Sequence, residues 1–134
     1  MPQTISTKVL DTGITSEHIP LLQAWGEFLA TGKPGNKKKM TTSQLRRFFG
    51  EIKRIQADFN ECKNEVVLLD PKLAYAVGKA KKEARGNEQV AIEDFYKVIV
   101  NPMIRQINED KTKFRHFVQV CEAIVAYHKA KEGE

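Results

Sequence analysis

Apolar residues recur three and four positions apart along nearly the whole chain, and no run alternates with a period of two. That spacing gathers side chains on one face of a helix, whereas a pleated strand sends successive side chains to opposite faces. No Asn-Gly hairpin and few clusters of β-branched residues interrupt it. The expectation is an all-α fold: a compact bundle of about five helices with one long central helix and no β-sheet. At 134 residues the chain suits one domain. A chain of this size buries roughly two-thirds of its unfolded surface, so it needs neither disulfide nor metal to fold.

The clearest helix start is Thr41-Thr42-Ser43-Gln44, a capping box with Thr41 as N-cap and Gln44 reaching back. Behind it Leu45, Phe48, Phe49, Ile52, Ile55, Phe59, Cys62, Val66 and Leu69 predict one helix of about seven turns. Asp70-Pro71 reads as the cap and first position of the next helix, Pro71 to Arg85, which ends at Gly86. A helix from Ile19 to Ala30 precedes them, with Pro20 in its first turn and Gly32 as its stop. Between the two, Thr31 to Met40 holds two glycines, a proline and four lysines and reads as a mobile linker. A fourth helix is expected from Glu88 towards Asn101, kinked or broken by Pro102, with Met103, Ile104 and Ile107 continuing its apolar face. The last runs from Lys111 to Ala130, with Gly133 beyond its end. Residues 1–40 thus read as an N-terminal helix and flexible basic linker, and 41–134 as the helical-bundle domain of a single-domain protein.

The net charge of +5 is unevenly spread. Residues 33–54 carry +7 and residues 71–86 carry +4, while the remaining segments are mildly acidic. On the long helix, 100° steps place Arg46, Arg47, Lys53 and Arg54 in one arc opposite the apolar stripe. On the next helix Lys72, Tyr75, Lys79 and Lys82 share a face. One-sided basic charge is the footprint of a nucleic-acid backbone partner, although a solvated polar face looks similar. Only Glu51 stands close enough along the helix to pair with Arg47. Tyr75 among lysines suits stacking on a base or ribose. It equally suits covering the core edge with its hydroxyl in water. These eight residues are the candidate RNA-binding set. A protein-interaction module with a solvated basic surface is the alternative.

Chemistry finds no foothold. His18, His116 and His128 fall in different segments, and no Cys-x-x-Cys or His-x-x-x-His spacing offers a metal site. Cys62 and Cys121 read as small buried groups rather than a disulfide. Glycine-rich phosphate loops and nucleophile elbows are missing. His128, on the apolar seam of the last helix, reads as structural. No catalytic residue, metal, cofactor or small-molecule substrate is expected. The N-terminus has no leader pattern and no apolar run spans a bilayer, so no membrane partner is expected and the location is taken as cytoplasmic.

Three segments carry a resemblance: Thr41-Thr42-Ser43-Gln44-Leu45-Arg46, Lys72-Leu73-Ala74-Tyr75-Ala76-Val77-Gly78-Lys79, and Glu122-Ala123-Ile124-Val125-Ala126-Tyr127-His128-Lys129. In that order, with the Asn101-Pro102-Met103-Ile104 break between the last two, the chain resembles the small α-helical subunit of the type III-A CRISPR effector, the Csm complex. The resemblance covers Met40 to Lys131. It implies a non-catalytic subunit stacked as further copies of itself in an inner filament. It also implies contacts with guide and target RNA and with other subunits of the effector complex. Lys79 stands where the family typically has arginine, which keeps the charge but not the planar fork. The segment before Met40 lies outside the resemblance, which makes the first helix lineage-specific on this reading.

Overall fold

A computed structural model describes residues 1–132, so Gly133 lies outside the described residues. The described residues form eight α-helical segments: α1 (Val9–Thr12), α2 (Ile19–Thr31), α3 (Thr42–Ala57), α4 (Phe59–Cys62), α5 (Leu69–Glu83), α6 (Ala91–Asp94), α7 (Asn101–Ile107) and α8 (Lys111–Glu132). Short 3-10 turns lead into α2 and α5, and a π-helical stretch, Phe95–Val100, joins α6 to α7. Among the described residues there is no sheet, and the all-α bundle is borne out.

The axis of the bundle is α8, not the expected central helix. Its 22 residues span about 33 Å at 1.5 Å each. It packs most extensively on α2, where Trp25, Phe28 and Leu29 are fully buried, and also on α1, α3 and α7. The approach of α2 is set by Gly26, where a Cβ would lie 2.4 Å from the Cβ of Tyr127. Gly32, at φ 75, then ends α2 in the left-handed conformation, as expected from its position.

Residues 1–40 share one hydrophobic core with the rest. Ile5, Val9 and Leu10 are buried, the Trp25 indole N–H donates to Gln3 O at 2.9 Å, and His116 Nδ1 donates to Leu10 O at 2.6 Å. The expected mobile linker is held at both ends instead. Lys37 N–H donates to Gly32 O, and Met40 N–H to Leu29 O. Lys38 exchanges backbone bonds with Gln89 and Ala91, and the Lys37 ammonium meets Asp94 at 2.5 Å. Glycine and proline there build turns that return the chain, including a cis Lys33–Pro34 bond. Beneath them His128, fully buried, donates from Nε2 to Met40 O at 2.8 Å.

Four readings of the element boundaries differ from what the structure shows. The seven-turn helix is broken at Asp58 (φ −141°, ψ 58°), after which the chain resumes as α4 and a 3-10 segment, Lys63–Leu68. Asp and Asn compete for backbone hydrogen bonds inside helices, and Asp58, Asn60 and Asn64 cluster here. Apolar spacing survives the break, because Phe59, Val66 and Leu69 all remain buried. Asp70 does not cap α5, which starts at Leu69; its carboxylate accepts from Tyr96 Oη at 2.8 Å and Asn101 Nδ2 at 2.5 Å. Pro102 neither breaks nor sharply ends its helix. The π-helical stretch before it widens the turn, with Asn101 N–H reaching back five residues to Tyr96 O, which accommodates the proline ring. The fourth helix begins at Ala91 rather than Glu88, because Val90 is extended against Lys38.

Candidate nucleic-acid interface

Along α3 the buried row is Leu45, Phe48, Ile52 and Ile55, and the charged residues flank it on two sides. The capping box that starts this helix is present in both directions: Gln44 N–H donates to Thr41 Oγ1 at 3.1 Å and Thr41 N–H to Gln44 Oε1 at 2.8 Å. It fixes the register of the first turn and so the direction in which Arg46 and Arg47 leave the helix.

The two arginines leave on opposite flanks. Arg47 faces α5 and lines a groove of about 620 Å³ between α3 and α5. The α5 wall of that groove carries Lys72, Tyr75 and Lys79, and its floor is Phe48, Leu73 and Ala76. Four of the eight candidate residues therefore meet in one place. Tyr75 is 75% exposed and makes no hydrogen bond among the described residues, so of its two readings the core-covering one is not realised: the ring stands in solvent at the groove's rim. Arg46 turns the other way, towards α8, beside Phe49 and Lys129. Lys53 lies on that flank too, 5.9 Å from the centre of the Phe49 ring and 4.0 Å from Glu122. Lys82 is exposed on α5 but outside the lining of the groove. The single arc expected on the long helix is thus two rows separated by the groove on one side and α8 on the other.

Charge compensation also differs from expectation. Glu51 does not pair with Arg47. Its Oε2 lies 3.0 Å from Lys72 Nζ and 3.0 Å from the guanidinium nitrogen Arg54 Nη2, which also reaches Glu65 Oε1 at 2.7 Å. The Lys72 ammonium and then the Arg54 guanidinium hold the Glu51 carboxyl below the usual carboxylate range. Arg54 does the same to Glu65. Arg46, Arg47, Lys79 and Lys82 have no ion pair among the described residues, while Arg54 and Lys72 are engaged. Sequence reasoning missed Glu65, and no local signal points to it. Eleven residues of unbroken helix would hold it about 16 Å from Arg54, and only the break at Asp58 folds it back.

Burial pushes the Cys121 thiol up, and both cysteines are free. Among the described residues no three His, Cys, Asp or Glu side chains converge as metal ligands, and no helix is long and apolar enough to cross a membrane.

The Csm2 type III-A family model matches residues 20–134. No curated protein and no solved structure gives a significant match. The match begins at Pro20, in the first turn of α2, so the first long helix lies inside the family region rather than being the lineage-specific addition expected. Since the match spans all but the extreme N-terminal segment, the chain belongs to the Csm2 type III-A family, that of the small structural subunit of the type III-A Csm effector complex.

Proposed function

We propose that this subunit is a non-catalytic RNA-binding element of the effector, contacting the guide–target RNA duplex through its phosphates without sequence specificity, in the cytoplasm and in antiviral defence. The observation that carries the reading is the α3/α5 groove, in which Arg47, Lys72, Tyr75 and Lys79 converge although they come from separate stretches of sequence. Lysine and arginine ends that bind phosphate oxygens report no base identity, and an exposed tyrosine stacks on any base or ribose. The flank of Arg46, Lys53 and Lys129 supplies a second basic strip, suited either to the continuation of the duplex or to an acidic surface of a neighbouring subunit.

Contact with other subunits and with further copies of the chain is supported by a different surface. Val67 and Leu68 are 54% and 45% exposed beside a depression lined by Pro71, Ile104 and Arg105. Apolar groups at this exposure are a seat for a partner rather than for RNA.

Charge reversal at Arg47 and Lys79 tests the reading. Affinity for two unrelated RNA sequences is measured between about 50 and 200 mM salt, where phosphate contacts dominate the response. Equal weakening for both, with the log–log salt slope shallower by about 0.7 for each lost contact to a single strand, is the expected result. Unchanged affinity and slope would remove the groove as the interface, and weakening for one sequence alone would remove the claim of backbone recognition.

A further inference from the structure

We infer that Glu51 and Glu65 are internal stand-ins for RNA phosphate: their carboxylates occupy Arg54 and Lys72 in the free protein and give way when RNA arrives. The inference rests on the groove being the RNA interface and adds how that interface is held in check.

The geometry has the features of a mask rather than of a buried structural pair. One oxygen, Glu51 Oε2, serves both Lys72 Nζ and Arg54 Nη2 at 3.0 Å, while Glu65 Oε1 meets the same Arg54 nitrogen at 2.7 Å. A carboxylate and a phosphate oxygen make the same charge-assisted hydrogen bond to these donors, so each excludes the other. All four side chains are between 31% and 47% exposed, so water and ions reach them and the pairs hold weakly. Glu51 lines the groove together with Arg47 and Lys72, while Arg54 and Glu65 lie outside the lining and are tied to it through Glu51. Glu65 comes from beyond the break at Asp58, which makes the clamp a product of the fold rather than an accident of neighbouring residues. Solubility alone does not call for this arrangement, because exposed carboxylates that touch no groove cation, such as Glu17, serve it equally.

The consequence is a basic groove whose standing affinity for polyanions is lower than its cation count implies. Arg47 and Lys79 are open at all times, while Arg54 and Lys72 add their contacts only against an RNA held in place long enough to displace the glutamates. Such a device disfavours stray RNA and favours RNA presented by an assembled complex.

The test uses the full chain and a labelled single-stranded RNA of mixed sequence, with Glu51→Gln and Glu51→Gln/Glu65→Gln. Glutamine keeps the shape and an accepting oxygen while removing the charge. Each freed cation that binds a phosphate steepens the salt slope by about 0.7, which at 0.1 M salt is roughly a fivefold gain in affinity. The single variant is expected to bind about fivefold tighter and the double variant about 25-fold tighter. Glu17→Gln, which removes the same charge outside the groove, is expected to change binding less than twofold. Gains of equal size in Glu17→Gln would reduce the effect to bulk charge and overturn the mask. No gain in either clamp variant, with Arg47→Glu still weakening binding, would overturn the mask and leave the groove standing. If Arg47→Glu is also without effect, the groove and the mask fall together. Thermal melts of each variant establish that it is folded.

Discussion

Among the described residues three glycines, Gly26, Gly50 and Gly78, lie inside helices, and the fold assigns them opposite signs on replacement by alanine. At Gly26 a Cβ would sit 2.4 Å from the Tyr127 Cβ and 2.9 Å from both the Ile124 carbonyl oxygen and the His128 amide nitrogen. Carbon atoms in contact prefer about 3.5–4.0 Å, so the clash exceeds 1 Å. Two of the three obstructing atoms are backbone in the middle of α8 and cannot rotate aside. Helix α2 must back away, loosening Trp25, Leu29 and Ile124, all fully buried. Overpacking of this kind costs about 1–3 kcal/mol. A clash of more than 1 Å, two of its three atoms backbone, belongs to the upper half of that range, about 2–3 kcal/mol. Gly→Ala in a helix returns about 1 kcal/mol, leaving a net loss of about 1–2 kcal/mol. For a chain of this length that corresponds to a fall in Tm of about 3–10 °C. Gly50 and Gly78 have nothing within 4 Å of the same position, so alanine there is expected to raise Tm by about 2–5 °C through backbone entropy alone. Thermal unfolding followed by far-ultraviolet circular dichroism compares the three. A Gly26→Ala variant melting at or above the parent would refute the close packing of α2 on α8, whatever the other two do.

Removing residues 1–14 deletes Ile5, Val9 and Leu10 from the core, and each such burial is worth about 1.5–3 kcal/mol as an upper bound. Total stability is on the order of 5–15 kcal/mol, so the truncated chain is expected to lose cooperative unfolding and to red-shift Trp25 fluorescence. Gly32→Ala forces a side chain onto φ 75 with its Cβ 1.7 Å from Lys37 O, and is expected to cost more than about 1 kcal/mol in urea denaturation. The Lys81 ammonium, followed by Lys97, holds the Glu93 carboxyl below its ordinary value of 4.5. A carboxyl lowered by folding stabilises above its unfolded value and loses that contribution as pH falls through the folded one, so Glu93→Gln is expected to flatten stability against pH below about 4.5 and to change it little near neutrality.

Much of the fold was legible because capping and apolar spacing are local. Thr41 with Gln44, Gly32 after α2 and the stripe of α8 each announce themselves within a few residues, and each is present. The break at Asp58 was not legible, since Phe59, Val66 and Leu69 keep a helix-compatible spacing across it. Nor was the anchoring of the Lys33–Met40 loop, whose hydrogen-bond partners Gln89 and Ala91 lie some fifty residues further on. At the candidate interface, helical geometry correctly gathered Lys72, Tyr75 and Lys79 on one face of α5. It could not foresee that α5 would lie beside the Arg47 flank of α3 and leave Arg46 on the other. Which cations are open and which are clamped depends on Glu65, and so on tertiary contact.

On the proposed function, RNA lies in the groove between α3 and α5. Ultraviolet crosslinking of the full chain to thiouridine-substituted guide–target RNA, with the adducts mapped by mass spectrometry, reads this directly. Adducts are expected on the segment Lys72–Lys79, centred on Tyr75, and on the turn of α3 that bears Arg47. Adducts confined to the Val67–Leu68 surface or to α7, with Tyr75 unmodified, would contradict the account.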